Sequence, residues 1–169
     1  WEVLSRFDPA YPPLAARVFL ILMVPVWLFT AWYDMARLKI LNGLVIFVFG
    51  VFVVLGPFLM PLPLYLTQLL QAVIMLVIMM LAFALGTMGG GDAKFIAAAS
   101  PYFLRQDFAL ILVLFIVCAL GAFAAHRLSL LMGADRATPL WLSWRSGRRF
   151  PLGFALGGVV SIYLAMAAF

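Results

Sequence analysis

Residues 64–86 read LYLTQLLQAVIMLVIMMLAFALG, and residues 87–94 follow as TMGGGDAK. The first stretch carries no charge and exceeds the ~20 apolar residues a bilayer-crossing helix needs. The second ends the crossing and brings a carboxylate, Asp92, against three glycines, Gly89, Gly90 and Gly91. An all-α, polytopic integral membrane protein follows from the first stretch. A candidate site follows from the second.

The same alternation recurs along the chain. Apolar segments are read at about Leu14–Trp32, Gly43–Met60, Leu64–Gly86, Phe95–Leu104, Phe108–His126 and Phe150–Ala168, giving about six transmembrane helices. Pro25 lies mid-way in the first and is expected to kink it. That run is too long for a signal peptide, and no small-residue cleavage site follows it. The fourth segment is short, either a brief crossing or a re-entrant helix. Residues 1–169 are read as one transmembrane domain, with 67% hydrophobic and 10% charged residues. That is far from soluble-domain composition.

The net charge of +5 points to no nucleic-acid partner, because the basic residues sort by loop. With six crossings, loops one, three and five hold Arg37, Lys39, Lys94, Arg127, Arg136, Arg145, Arg148 and Arg149, and the opposite side holds Arg6, Arg17 and Arg105. The positive-inside rule then makes the odd loops cytoplasmic and both termini external. A fourth segment that failed to cross would put the basic 127–149 stretch opposite Arg37 and Lys39. Trp141 and Trp144 in that stretch suit the headgroup level.

Asp34 falls in the polar stretch Tyr33–Asn42 after the first span, so Asp34 and Asp92 return to the same membrane face. Ionisable residues at membrane depth are functional by default, since an acid at mid-helix costs about 2.5–3.5 kcal/mol on insertion scales. Two carboxylates ~4 Å apart repel by about 4 kcal/mol at an effective dielectric near 20, or about three pKa units. Such a pair holds one proton, and one member can activate water while the other protonates a carbonyl. The glycines let an extended substrate backbone approach and permit unusual dihedrals. They are not a nucleotide loop, since neither GxGxxG nor GxxxxGK[ST] is present.

Other groups take plainer readings. Asp8, Asp107 and Asp135 are read as solvated loop residues, and Lys94 as an interface marker. Cys118 lies in an apolar run and packs as an inert thiol. His126, the one histidine, is read as a polar residue near a helix end. No metal site and no cofactor is expected from one cysteine and one histidine.

At these residues the sequence resembles the type IV prepilin peptidase family, intramembrane aspartic proteases of the GxGD type. Asp34, Arg37, Lys39, Ile40 and Asn42 match the spacing of its first motif, with Leu41 in place of the usual proline. Gly89, Gly91, Asp92 and Lys94 complete Gly-x-Gly-Asp-x-Lys. Arg149, Pro151 and Gly153 resemble a third motif at the start of the last helix. The likeness spans about residues 15–165. It implies that Asp34 and Asp92 are the catalytic pair, with Gly89, Gly90, Gly91, Lys94, Asn42, Pro151 and Gly153 supporting the site. It implies cleavage of a pilin-like precursor with a basic leader, at the cytoplasmic face of the plasma membrane.

Bifunctional members carry a cysteine-rich cytoplasmic domain and methylate the new terminus. The resemblance is to the minimal, peptidase-only form serving tight-adherence (Flp-type) pili, with archaeal preflagellin peptidases also similar. Presenilin-like proteases share Tyr33-Asp34 and Gly-x-Gly-Asp, but their Pro-Ala-Leu motif is absent. Two other readings compete. A small proton-coupled transporter would use Asp34 and Asp92 as relay groups and would favour acids at mid-membrane and internal pseudo-symmetry. A membrane scaffold would use them as helix caps. The lipid bilayer is a partner under all three.

Overall fold

The computed structural model describes residues 9–145 and 152–169. Arg6, Asp8, Arg148, Arg149 and Pro151, all used above, lie outside the described residues. The regular elements are α1 Pro13–Arg37, α2 Asn42–Leu59, α3 Leu62–Ala84, α4 Gly90–Ala99, α5 Phe108–Leu131, the single turn α6 Ala134–Ala137, and α7 Leu152–Ala168. Three 3-10 turns fall at Ser100–Tyr102, Arg105–Asp107 and Leu142–Trp144. Among the described residues there is no strand. Four helices are long and apolar enough to cross a membrane: α1, α2, α3, and α5 with the turn before it; α7 is a shorter apolar helix.

The long helices turn large apolar side chains outward. On α3, Leu66, Leu70, Val73 and Val77 are exposed, while Tyr65, Gln68 and Ala72 face inward. In water such a surface would drive aggregation. Against lipid it is the expected outer face of a polytopic bundle. The shorter α7 differs, being buried along most of its length between α1 and α5.

Three prolines shape the second and third helices. Pro57 sits inside α2, and its missing N–H frees the carbonyl of Val53 four residues back. The Tyr65 hydroxyl of α3 donates to that carbonyl at 3.0 Å. Gly56 makes room, since a Cβ there would lie 2.7 Å from the Tyr65 ring. Pro61 and Pro63 then open α3, where an absent N–H costs nothing. Pro25 lies within α1, which runs through it without a break.

The fourth segment is shifted from its expected bounds. α4 begins at Gly90 and ends at Ala99, so the glycines and Asp92 form its first turn rather than a loop. The carbonyls of the turn that follows it are satisfied from α3. Gln68 Nε2 donates to Pro101 O, at 2.9 Å, and to Phe103 O; Gln71 Nε2 donates to Ser100 O at 2.7 Å and Phe103 O at 3.0 Å.

Beyond this capped turn the chain reaches the far end of the bundle. There Leu104 N donates to the Tyr163 hydroxyl near the end of α7, and Ala10 N donates to Asp107 Oδ2. Arg17 Nε donates to Ala168 O at the same end. The segment from Gly90 to Asp107 therefore runs from one end of the bundle to the other. Asp107 is not merely solvated, because it also accepts from the Tyr163 hydroxyl.

After α5, the residues up to Arg145 pack against the bundle. Trp144 stacks on His126 with ring centroids 4.8 Å apart, and its Nε1 donates to Thr138 Oγ1 at 2.9 Å. The Leu142–Trp144 turn also packs on α1. Cys118 is half-buried, with its Sγ 3.5 Å from where a Cβ on Gly158 would be.

Candidate active site

Asp34 lies in the last turn of α1, not in a loop. Nothing in Tyr33-Asp34-Met35-Ala36-Arg37 breaks a helix, so the coil continues until Leu38. Leu38 takes a left-handed conformation, φ 51°, and its N–H closes on Asp34 O at 2.7 Å. Glycine normally fills that position, so a leucine there holds local strain. The Asp34 side chain is only 4% exposed.

The burial of Asp34 is made possible by α7. Gly153 and Gly157, one turn apart, face α1. A Cβ at Gly157 would lie 3.0 Å from Trp27 Cβ, and one at Gly153 would lie 2.9 Å from Asp34 Oδ2. This small-xxx-small spacing lets two helix backbones approach closely. The Gly153 N–H then donates to Asp34 Oδ2 at 2.8 Å. Gly157 was missed in the sequence reading, although Gly153-x-x-x-Gly157 was there as the signal.

Asp92 reaches the same region from α4. Trp27 of α1 and Phe95 of α4 meet edge to face at 5.2 Å. Asp34 lies two turns beyond Trp27, and Asp92 nearly one turn before Phe95, on antiparallel helices. Both offsets point to the same end of the bundle. Asp34 and Asp92 accordingly line one cavity of about 860 Å³, with Leu38, Lys39, Ile40, Asn42, Gly86, Thr87, the three glycines, Lys94 and Leu152. Burial and, second, the Asp34 charge push the Asp92 carboxyl up to about 6.

The glycine run works differently from expectation. Gly89 has φ −71° and caps α4, and none of Gly89, Gly90 and Gly91 has a positive φ. The left-handed glycine is Gly86, φ 73°, just after α3. What the run supplies is missing side chains. A Cβ at Gly90 would press the Phe83 ring at 3.1 Å, and one at Gly89 would meet Asp92 Oδ2 at 2.9 Å. At Gly91 the buried Ile40 packs at ordinary contact distance.

The remaining motif residues join the two Asp-bearing segments. Lys94 Nζ makes a long hydrogen bond of 3.5 Å to Asn42 Oδ1. With Ile40 on Gly91, this holds the Leu38–Leu41 connection against α4. Of the sequence-derived site residues, the structure brings together Asp34, Asp92, Gly89, Gly90, Gly91, Asn42, Lys94 and Gly153. Pro151 lies outside the described residues. Among the described residues no three His, Cys, Asp or Glu side chains cluster as a metal-ligand set.

A buried and a half-buried carboxylate beside a polar cavity, with lysines at its rim, form a constellation for acid–base work. The profile of the type IV leader peptidase family matches residues 21–126, more than half the chain and both aspartates. No curated protein and no solved structure matches it at a significant level.

Proposed function

Because this chain belongs to the type IV leader peptidase family, we propose that it is an aspartic endopeptidase with Asp34 and Asp92 as its catalytic pair. It removes the leader peptide from pilin-like precursors at the cytoplasmic face of the plasma membrane. The observation that carries this reading is the shared cavity: two acids from separate helices line one 860 Å³ space at the basic end of the bundle. Six of the eight described basic residues, Arg37, Lys39, Lys94, Arg127, Arg136 and Arg145, belong to that end or the segments beyond it. This supports a cytoplasmic placement, with both termini external.

The chemistry needs one proton on the pair. A carboxylate takes a proton from water as the water oxygen bonds to the scissile carbonyl carbon, while the partner carboxyl protonates the carbonyl oxygen. The resulting gem-diol collapses when the first carboxyl protonates the amide nitrogen and the second takes a hydroxyl proton. The C–N bond breaks, and the dyad returns to its starting state. The open cavity beside Gly89 and Gly90 suits an extended backbone, since helical peptide bonds have their polar groups engaged. Lys94 and Asn42 support the site by holding the two segments together.

The single cysteine in 169 residues favours a peptidase without methyltransferase activity. Service to tight-adherence (Flp-type) pili is the subtype this favours. A proton relay through the membrane would want its acids at mid-depth, whereas these lie at one end of the bundle. The test uses purified membranes and candidate precursors, with the new N-terminus mapped after incubation. Asp34→Asn and Asp92→Asn should each lower cleavage by roughly 10²–10⁴-fold, the usual share of acid–base catalysis. Unchanged processing by both variants would sink the peptidase reading.

A further inference from the structure

Two carboxylates in one cavity need not be equivalent, and the hydrogen bonds around this pair are not. Asp34 Oδ2 accepts the Gly153 N–H at 2.8 Å, a bond to a buried oxygen from the first turn of α7. Among the described residues no hydrogen bond reaches the Asp92 carboxylate. A donor aimed at a carboxylate oxygen favours its ionised form. We infer that Gly153 is a positioning residue whose backbone N–H holds Asp34 as the carboxylate that activates water, leaving Asp92 as the carboxyl that carries the shared proton to the scissile carbonyl.

The two helix dipoles pull the other way. Asp34 sits at the C-terminal end of α1, where the helix dipole opposes a negative charge, and Asp92 sits in the first turn of α4, where the dipole favours one. Taken alone these would reverse the assignment. A direct charge-assisted bond outweighs a dipole felt through a helix turn, and α7 also turns its own N-terminus to Asp34. Among the described residues Lys39 and Lys94 are the cations lining the cavity, and Lys94 Nζ is engaged by Asn42.

A side chain cannot replace Gly153 without moving Asp34. A Cβ would lie 2.9 Å from Oδ2, 3.1 Å from Asp34 Cβ and 3.3 Å from Asp34 Cγ. Glycine is needed there for space, so that the amide and the carboxylate can meet.

The words base and acid rest on the peptidase reading; the placing of the proton does not, so the test reads the proton directly. Infrared titration of the full chain in lipid should show a protonated-carboxyl band that disappears with a midpoint near pH 6. Asp92→Asn should abolish that transition, and Asp34→Asn should keep it at a lower midpoint. Loss in Asp34→Asn with retention in Asp92→Asn, or an equal response in both, overturns the assignment.

In the Asp92→Asn background, Gly153→Ala should raise the midpoint of Asp34 by about one pH unit, a tenfold change in proton affinity. Gly158→Ala, on the same helix with only Cys118 nearby, should leave it in place. Equal midpoints in the two alanine variants overturn the role of Gly153. If the band behaves as expected but wild-type protein cuts no precursor, the peptidase reading falls and the asymmetry stands.

Discussion

Asp92, coupled to Asp34, sets a pH dependence. Its carboxyl is raised from 3.8 to about 6, first by burial and then by the Asp34 charge. The folded protein therefore holds this proton more tightly than the unfolded chain. The stability it contributes is fully present below the unfolded value and is lost as pH rises through about 6. Thermal unfolding in detergent should show this fall across pH 4–6.5, and Asp92→Asn should remove it. Catalysis needs the same proton, so kcat should decline on the alkaline side with an apparent pKa near 6. A rate that climbs steadily from pH 5 to 8 would contradict a proton-sharing pair.

The helices α2 and α3 show how prolines in a membrane helix are accommodated. Pro57 frees the Val53 carbonyl, and Tyr65 from the neighbouring helix satisfies it while its ring rests on Gly56. Tyr65→Phe keeps the ring and removes the donor, leaving the Val53 carbonyl unpaired in an apolar helix. It should cost about 1–3 kcal/mol, read as a lowered unfolding midpoint. Gln68 serves the same purpose just beyond α4, whose helix stops after ten residues and is followed by the Pro101 and Phe103 carbonyls. Gln68→Leu should destabilise by a similar amount and make the α4–α5 connection more open to proteolysis. If both variants unfold like the wild type, these side chains are not what stabilises the irregular backbone.

At the scale of the whole molecule, the bundle has two unlike ends. One holds Asp34, Asp92, the glycine turn and the basic segment. The other holds Ala10, Leu104, Asp107, Tyr163 and Ala168, tied together by hydrogen bonds across three parts of the chain. In a Cys118→Ser background, a cysteine at Thr87 should react with an impermeant thiol reagent from the cytoplasmic side only. One at Gln106 should react from the opposite side only. Labelling of both from one side would mean that α4 does not carry the chain across.

The apolar runs and the sorting of basic residues determined, from sequence alone, an all-helical membrane protein with Asp34 and Asp92 directed to one face. These features are local and periodic, and bilayer thickness converts them directly into spans. The bounds were less legible. The polar Tyr33–Arg37 turn and the glycine run looked like loops, yet both are helical, because a helix end needs only that nothing interrupts it.

What tertiary structure alone decided is the pairing across the bundle. The Gly153 amide on Asp34, Ile40 against Gly91 and the α3 glutamines on the turn after α4 join residues 29–119 positions apart on separate elements. No periodicity encodes such meetings. They depend on which small residues let two backbones come close, and that is a property of two surfaces packed together.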